Sequence, residues 1–466
     1  MKTTAPNSEN LEVRSEKGNQ DSSFSIPNSH FSPHPPVLVP KLRFPEFRGE
    51  GGWDADELGK VADFVNEKVP VEAVALENYV STENILPDFS GIARASKLPT
   101  TGSATRYRPN DNLVSNIRPY LRKVWVADKE GGASNDVIVI RAKQRLLPQY
   151  FSCLLKNDAF IDYVMTGAKG VKMPRGDIGS MKEYPTLYPS KPEQQKIAEC
   201  LSSVDELMAA QARKVEALKT HKKGLLQKLF PAVKGSESEN LEVRNEKTEP
   251  DSSFSIQNSN FSIPPLRFPE FQNAGEWVQK KVGDVSEVLM CRRIFAEETN
   301  PSEGVPFYKI GTLGGIPDAF ISREKFEDYR SRYNYPRTGE VLITCSGTVG
   351  KCLPFDGKDS YFQDSNIVWL NNPNGDVSNE FLLMLLSNVD WGMLNSTTIT
   401  RIYGPDLRGL AIKYPEDKSE QHRIASCLSS LDALITAETQ KLDALKTHKR
   451  GLMQQLFPPP EEIANL

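Results

Sequence analysis

The sequence predicts an α+β protein made twice over: two similar globular mixed α/β domains separated by two long helices, which pair as an antiparallel coiled coil about a pseudo-twofold axis. Three observations predict it. First, EQQKIAECLSSVDELMAAQARKVEALKTHKKGLLQKLFP (Glu193–Pro231) recurs without gaps as EQHRIASCLSSLDALITAETQKLDALKTHKRGLMQQLFP (Glu420–Pro458), at an offset of 227. Second, both copies carry apolar residues in alternating steps of four and three. Third, LRFPEF occurs at Leu42–Phe47 and again at Leu266–Phe271, each time followed by a tryptophan, Trp53 or Trp277. A repeat of this length is the signature of a duplicated unit.

Taken in order, the chain opens with a polar tail over 1–40, and a similar Ser/Asn/Glu-rich linker spans 232–263. Neither has enough apolar surface to order itself. A first domain occupies 41–190 and a second 264–418, each a usual size for an independent core. Inside them, short β-like runs bounded by Gly, Asn and Asp precede helical stretches such as YFSCLLKN and FLLMLLSN. NDNLVSNIRPYLRKV (Asn110–Val124) lines up with TGEVLITCSGTVGKC (Thr338–Cys352), and SNDVIVI near Ser134 with DSNIVWL near Asp364. The helices occupy 191–231 and 419–458, and a short tail, 459–466, closes the chain.

In the first helix the core frame is Ile197, Leu201, Val204, Met208, Val215, Leu218, Leu225 and Leu229, interrupted by Gln211 and Lys222. In the second it is Ile424, Leu428, Leu431, Ile435, Leu442, Leu445, Leu452 and Leu456, interrupted by Glu438 and Lys449. Sustained heptads argue for a coiled coil. Ser190 before Glu193, and Asp417 before Glu420, have capping-box spacing. Pro231 and Pro458 end the helices. About 38 residues make a rod of roughly 57 Å, long enough to span the 34–36 Å between reading positions on one face of a duplex.

The 466 residues are 38% hydrophobic and 25% charged, with net charge −4. No apolar run approaches the ~18 residues of a membrane span. The first residues lack a signal peptide's apolar core, so a cytoplasmic protein is expected. Six cysteines without CxxC spacing and five histidines offer no zinc module. Cys200 and Cys427 read as small buried helix residues. His221 and His448 lie in basic clusters of the late helix turns, which complement the helix dipole. No Asn/Asp-Pro-Pro-aromatic methyltransferase motif occurs, and SGTVGK (Ser346–Lys351) lacks phosphate-loop spacing. Pro405-Asp406 followed by Glu416-Asp417-Lys418 has the order of a Mg²⁺-dependent nuclease signature, although a helix cap accounts for Asp417 and Glu420. A Mg-dependent endonuclease and a coiled-coil scaffold without a DNA role are the alternatives.

Between Gly91 and Lys182, sixteen basic residues face seven acidic ones. Phosphate binding requires such a local excess, and arginine also pairs with guanine. The candidate DNA-binding residues are Arg106, Arg108, Arg118, Arg122, Lys123, Lys172 and Arg175 in the first domain. In the second they are Arg292, Arg293, Arg332, Lys351 and Arg401.

EQQKIAECLSSVDEL and EQHRIASCLSSLDAL resemble the two helical regions of the specificity subunit of type I restriction–modification systems. The alternation of domain and helix, SGTVGK, and the approaches GDIGSMKEYPTLYPS (Gly176–Ser190) and PDLRGLAIKYP (Pro405–Pro415) are similar to that family too. The resemblance implies a non-catalytic subunit that binds double-stranded DNA. Each domain would read one half of a bipartite site, and the helices would set the unread gap. It also implies partners: modification subunits that transfer methyl from S-adenosylmethionine to adenine N6, and ATP-driven restriction subunits. S-adenosylmethionine, ATP and Mg would be used by those partners, with no cofactor or metal bound by this chain.

Overall fold

The computed structural model describes residues 39–231, 263–391 and 401–458. Nearly all of the expected tail 1–40 and linker 232–263, and the whole tail 459–466, lie outside the described residues. The chain forms two compact units, residues 1–201 with 451–466, and residues 202–450.

In the first unit, β-branched runs form an antiparallel sheet in the order Ala62–Phe64, Val137–Ala142, Asn112–Ser115, Val124–Val126. Strand side chains alternate between faces. Ile138 and Ile140 accordingly join Val114 and Val124 in a cluster with the helices Pro148–Leu155 and Asp158–Thr166. Val137 and Val139 join Leu113 and Trp125 in another. A second sheet contains Lys68–Pro70, Ser103–Tyr107, Gly131–Ala133 and Tyr79–Val80. Gly131 is required there, because a Cβ would lie 2.1 Å from the Asn78 carbonyl oxygen.

The second unit repeats the plan. Its main sheet runs Glu287–Leu289, Ile367–Asn371, Val341–Thr344, Cys352–Pro354. Val341, Ile343, Val368 and Leu370 pack with the helix Asn379–Ser387, while Leu342, Ile367 and Trp369 pack elsewhere. A smaller sheet, Phe320–Ile321, Val305–Tyr308, Tyr361–Phe362, accompanies it. The strand equivalence corrects the sequence alignment by one residue. Ser115 pairs with Val137 as Thr344 pairs with Ile367, so Asn112 corresponds to Val341 and not to Glu340. One-residue slips matter because they exchange the two faces of a strand.

The LRFPEF segments explain themselves in pairs. In the first unit the Leu42 N–H donates to the Gln455 carbonyl, 2.9 Å, in the last turn of the second long helix. The adjacent Arg43 grips Glu193, in the first turn of the first long helix, through two bonds of 2.9 and 2.8 Å. Trp53 and Tyr150 pack on Phe457. In the second unit Leu266 donates to the Lys228 carbonyl at 2.9 Å, and Arg267 holds Glu420 at 2.7 and 2.6 Å. Trp277 and Phe381 pack on Phe230. Each core is therefore closed by the beginning of one long helix and the end of the other.

Both long helices are 39 residues, Lys191–Leu229 and Lys418–Leu456. Within the second unit they run antiparallel, as Lys222–Asp432 and Lys449–Asp205 ion pairs establish. Ile197, Leu201, Val204, Val215, Leu229, Ile424, Leu428 and Leu456 are buried. Met208, Leu218, Leu225, Leu431, Ile435, Leu442, Leu445 and Leu452 are half-buried, as are Cys200 and Cys427. The expected capping boxes do not close. Asp417 accepts the Ser419 N–H at 2.8 Å, but Glu193 and Glu420 are taken by arginines, and Ser190 bonds Glu50. A buried guanidinium outcompetes a reach back to the cap because a charge-assisted bidentate pair is the stronger bond.

Glu193→Ala should cost about 3–5 kcal/mol in denaturant unfolding, because it strands the Arg43 guanidinium in the interior. Arg43→Met with Glu193→Met should recover most of that loss.

Candidate nucleic-acid interface

The first domain gathers its unusual backbone at one rim. Among the described residues six non-glycines have positive φ, and Asp88, Phe89, Arg118 and Arg122 are four of them. The Asp88 and Phe89 N–H groups donate to the carbonyls of Leu121 and Arg122, which joins the two loops. Arg118 and Arg122 flank the one-turn helix Pro119–Leu121. The Arg118 N–H in turn donates to Pro174, 2.8 Å, and Gly176 donates to Asn116, 3.1 Å, so the loop 168–176 is tied to the same rim. Such backbone states are retained where the surroundings over-determine them, often at functional sites.

The candidate basic side chains of the first domain differ in how committed they are. Arg106 is held by Glu67 and Glu130, Arg108 by Glu67, Arg122 by Asp158 and Asp88, and Arg175 by Asp136. Lys123 donates to the Thr82 carbonyl. Arg118 and Lys172 are exposed and have no ion-pair partner among the described residues. Around them stand Val171, fully exposed, and the half-exposed Met173 and Tyr120. The rim thus offers two uncommitted cations among apolar side chains. Sequence reasoning missed Val171 and Met173, since nothing in their local pattern says that they are outside the core.

The second domain builds a rim at the same structural position with other residues. Ser346 bridges Arg401 as Ile117 bridges Arg175, and Ile402 donates to Cys345 as Gly176 donates to Asn116. Ser365, again at positive φ, lies within 3.4 Å of the Arg401 guanidinium. Arg401 also covers the Tyr403 ring, and its Nε is buried without a hydrogen-bond partner. Gly350 turns the SGTVGK loop tightly, because a Cβ there would meet the Trp391 ring at 2.1 Å. Lys351 is committed to the Leu313 carbonyl. Nearby, Arg292 and Arg332 both lie 5.6 Å from the Tyr333 ring centre and line a cleft of about 670 Å³ with Arg293, Phe295 and Asp364. Arg293 is paired with Asp364 and Arg332 with Asp328.

The nuclease-like carboxylates do not converge. Asp406 accepts the Tyr403 N–H, Asp417 caps the helix, and Glu420 is enclosed by Arg267 and the Trp277 Nε1–H. Among the described residues no group of three His, Cys, Asp or Glu is placed to hold a metal. Burial pushes the thiols of Cys345 up to about 11 and of Cys291 and Cys352 up to about 12, so they stay protonated. His221 and His448 are exposed on the helices. No helix among the described residues is long and apolar enough to cross a membrane.

Residues 51–220 and 274–447 both match the family described as the type I restriction modification DNA specificity domain. A Haemophilus influenzae protein named as a type I restriction enzyme specificity subunit is 45% identical over 162 residues, which is 35% of this chain and 42% of that protein. The chain thus matches less than half the length of that relative. The type I restriction enzyme MjaVIII specificity subunit of Methanocaldococcus jannaschii is 22% identical over 91% of this chain and 95% of its own. Among solved structures, the type I restriction–modification S subunit from M. genitalium has the same fold. It has a TM-score of 0.54 and 16% identity, over 90% of this chain and 99% of its own. A chain from the type I R-M system, solved in work on complex assembly and conformational transition, gives a TM-score of 0.54 at 18% identity. That match covers 88% of this chain and 98% of that one. With both domain-and-helix repeats inside the family's match, this chain belongs to the specificity subunits of type I restriction–modification systems.

Proposed function

We propose that the chain is the sequence-specific DNA-binding subunit of a type I complex, each domain reading one half of a bipartite site and the paired helices setting the unread spacer. The observation that carries this reading is the rim made twice at one structural position from unlike side chains. Ile117, Arg118 and Pro119 form one; Ser346, Gly347 and Thr348 form the other. Equivalent placement suits two readers of one duplex, and unlike chemistry suits two different half-sites. Phosphates would be met by Arg118 and Lys172, with Val171 and Met173 at base edges, where apolar groups contact thymine methyls.

The helices would also dock modification subunits. Cys200, Ser203, Leu207 and Ala210 recur as Cys427, Ser430, Leu434 and Ala437, on a face beside the coil seam. Leu207 and Leu434 are 58% and 42% exposed, though nothing in the coil requires leucine there. Identical solvent-facing stripes on two helices suit two copies of one partner. In this reading the chain does no chemistry and binds no cofactor. The modification subunits transfer methyl from S-adenosylmethionine to adenine N6, the restriction subunits use ATP and Mg, and the complex works in the cytoplasm.

Lys172→Ala and Arg118→Gln should each weaken DNA binding and lower the slope of log affinity against log salt by roughly 1. Arg106→Gln, whose guanidinium is already committed, should do less; equal effects in a salt titration would discount the rim. Removing one matched heptad from both helices should shorten the reach by about 10 Å, roughly three base pairs. Methylation mapping that returns an unchanged spacer would defeat the ruler. Leu207→Arg with Leu434→Arg should abolish capture of modification subunits while leaving DNA binding by the free chain intact.

A further inference from the structure

The centre of the helix pair contains an asymmetry that the duplication does not predict. A shift of 227 residues relates Asp205 to Asp432, Lys222 to Lys449, and Lys214 to Lys441. The ion pairs Lys222–Asp432 and Lys449–Asp205 are therefore images of each other. Their mutual axis passes between Gln211 and Glu438, which are themselves counterparts and meet directly. The Gln211 amide donates to the Glu438 carboxylate at 2.7 Å and to its backbone carbonyl at 2.8 Å. Lys214 and Lys441 reach the same carboxylate at 2.9 and 3.1 Å. Glu438 is buried, and these donors hold its carboxyl down at about 2.

Every other core position of the frame keeps its chemistry between the copies, apolar against apolar and Lys222 against Lys449. The flanking ion pairs would form in any combination of the two helices, since each helix supplies one Asp and one Lys. Only the axial position tells them apart. Two first helices would bring two Gln211 amides and two Lys214 ammonium groups together with no carboxylate between them. Two second helices would bring two carboxylates into one buried slot without the amide that donates into it. Like charges sharing a buried site oppose one another's ionisation, and a single buried polar residue in a coiled-coil core can set register and oligomer state.

We propose that Gln211 and Glu438 are the partner-selecting pair of this coil: the two unlike helices of one chain choose each other, and a second copy of the chain is excluded from like-with-like pairing. The slot takes one amide and one carboxylate, in either order. This selection does not depend on the DNA-reading proposal, since it concerns only which helices pair.

The test uses the full chain and three variants, Gln211→Glu, Glu438→Gln and the exchange of both. Each single variant should lower the melting temperature by at least about 3 °C, and the exchange should return it to within about 1 °C of the parent. Co-expressed full-length Gln211→Glu and Glu438→Gln chains should form a 1:1 heterodimer by native mass spectrometry, because crossing them restores an amide–carboxylate pair at both axes. Its yield should exceed that from two parent chains at least ten-fold. If Gln211→Glu is as stable as the parent, or the exchange fails to restore what the single change loses, the pair does not select. Absence of heterodimer above the parent level overturns the partner claim even if the melting data agree.

Discussion

The arrangement depends on one dipeptide used twice. Leu42 and Leu266 supply a backbone N–H to a carbonyl in the last turn of one long helix, while Arg43 and Arg267 hold a glutamate in the first turn of the other. A helix end leaves four carbonyls without intrahelical partners, and a buried end needs them satisfied. A buried glutamate likewise needs its charge met, since an unpaired one is costly in the interior. The same two residues meet both requirements, and beside them Trp53 with Phe457, or Trp277 with Phe230, complete the apolar seal. Neither domain core is closed by its own repeat alone. That is why the starts and ends of the two helices match so closely between the copies.

The buried glutamine after each glutamate extends the argument. Gln194 accepts the Leu147 N–H at 2.8 Å and donates to the carbonyls of Arg145 and Pro189. Gln421 does the same with Ser378, Asp376 and Pro415. Each amide is satisfied on both sides, the condition for burying one without loss. The Glu-Gln pair that opens both helical repeats is thus an anchor for the helix start. The motif that carries the family likeness is mechanical: its residues fix the start of each long helix against the domain beside it.

Local periodicity exposed the helices, their heptads and the two-fold plan, because a repeat of 3.5 residues and a gap-free duplication are written along the chain. Facts that depend on distant partners were not legible. Arg43 and Glu193 are 150 residues apart, so the spacing Ser190–Glu193 pointed to a cap that the fold overrides. The strand Asn112–Ser115 was aligned one residue out, since all four of its side chains are buried and no solvent-facing alternation marks its register. Charge counting found the basic region of the first domain but not which cations are spent. Glu67 alone neutralises parts of Arg106 and Arg108, and it lies 39 residues before the nearer of them.

Comparing the two halves separates what the fold demands from what it leaves free. Positions that close a core are the same in both: Arg43 and Arg267, Glu193 and Glu420, Trp53 and Trp277, Phe457 and Phe230. At the rims the backbone bridges are kept while the side chains change, Ile117 to Ser346 and Arg118 to Gly347. Backbone hydrogen bonds can hold a loop in place whatever its side chains are, so long as no clash or strain arises. A rim pinned by main chain can therefore change its side chains without disturbing the anchors that close the core. The glycines of SGTVGK show the cost of one such exchange: Gly347 and Gly350 both adopt positive φ, which lets that loop turn without the strained arginines the first domain uses.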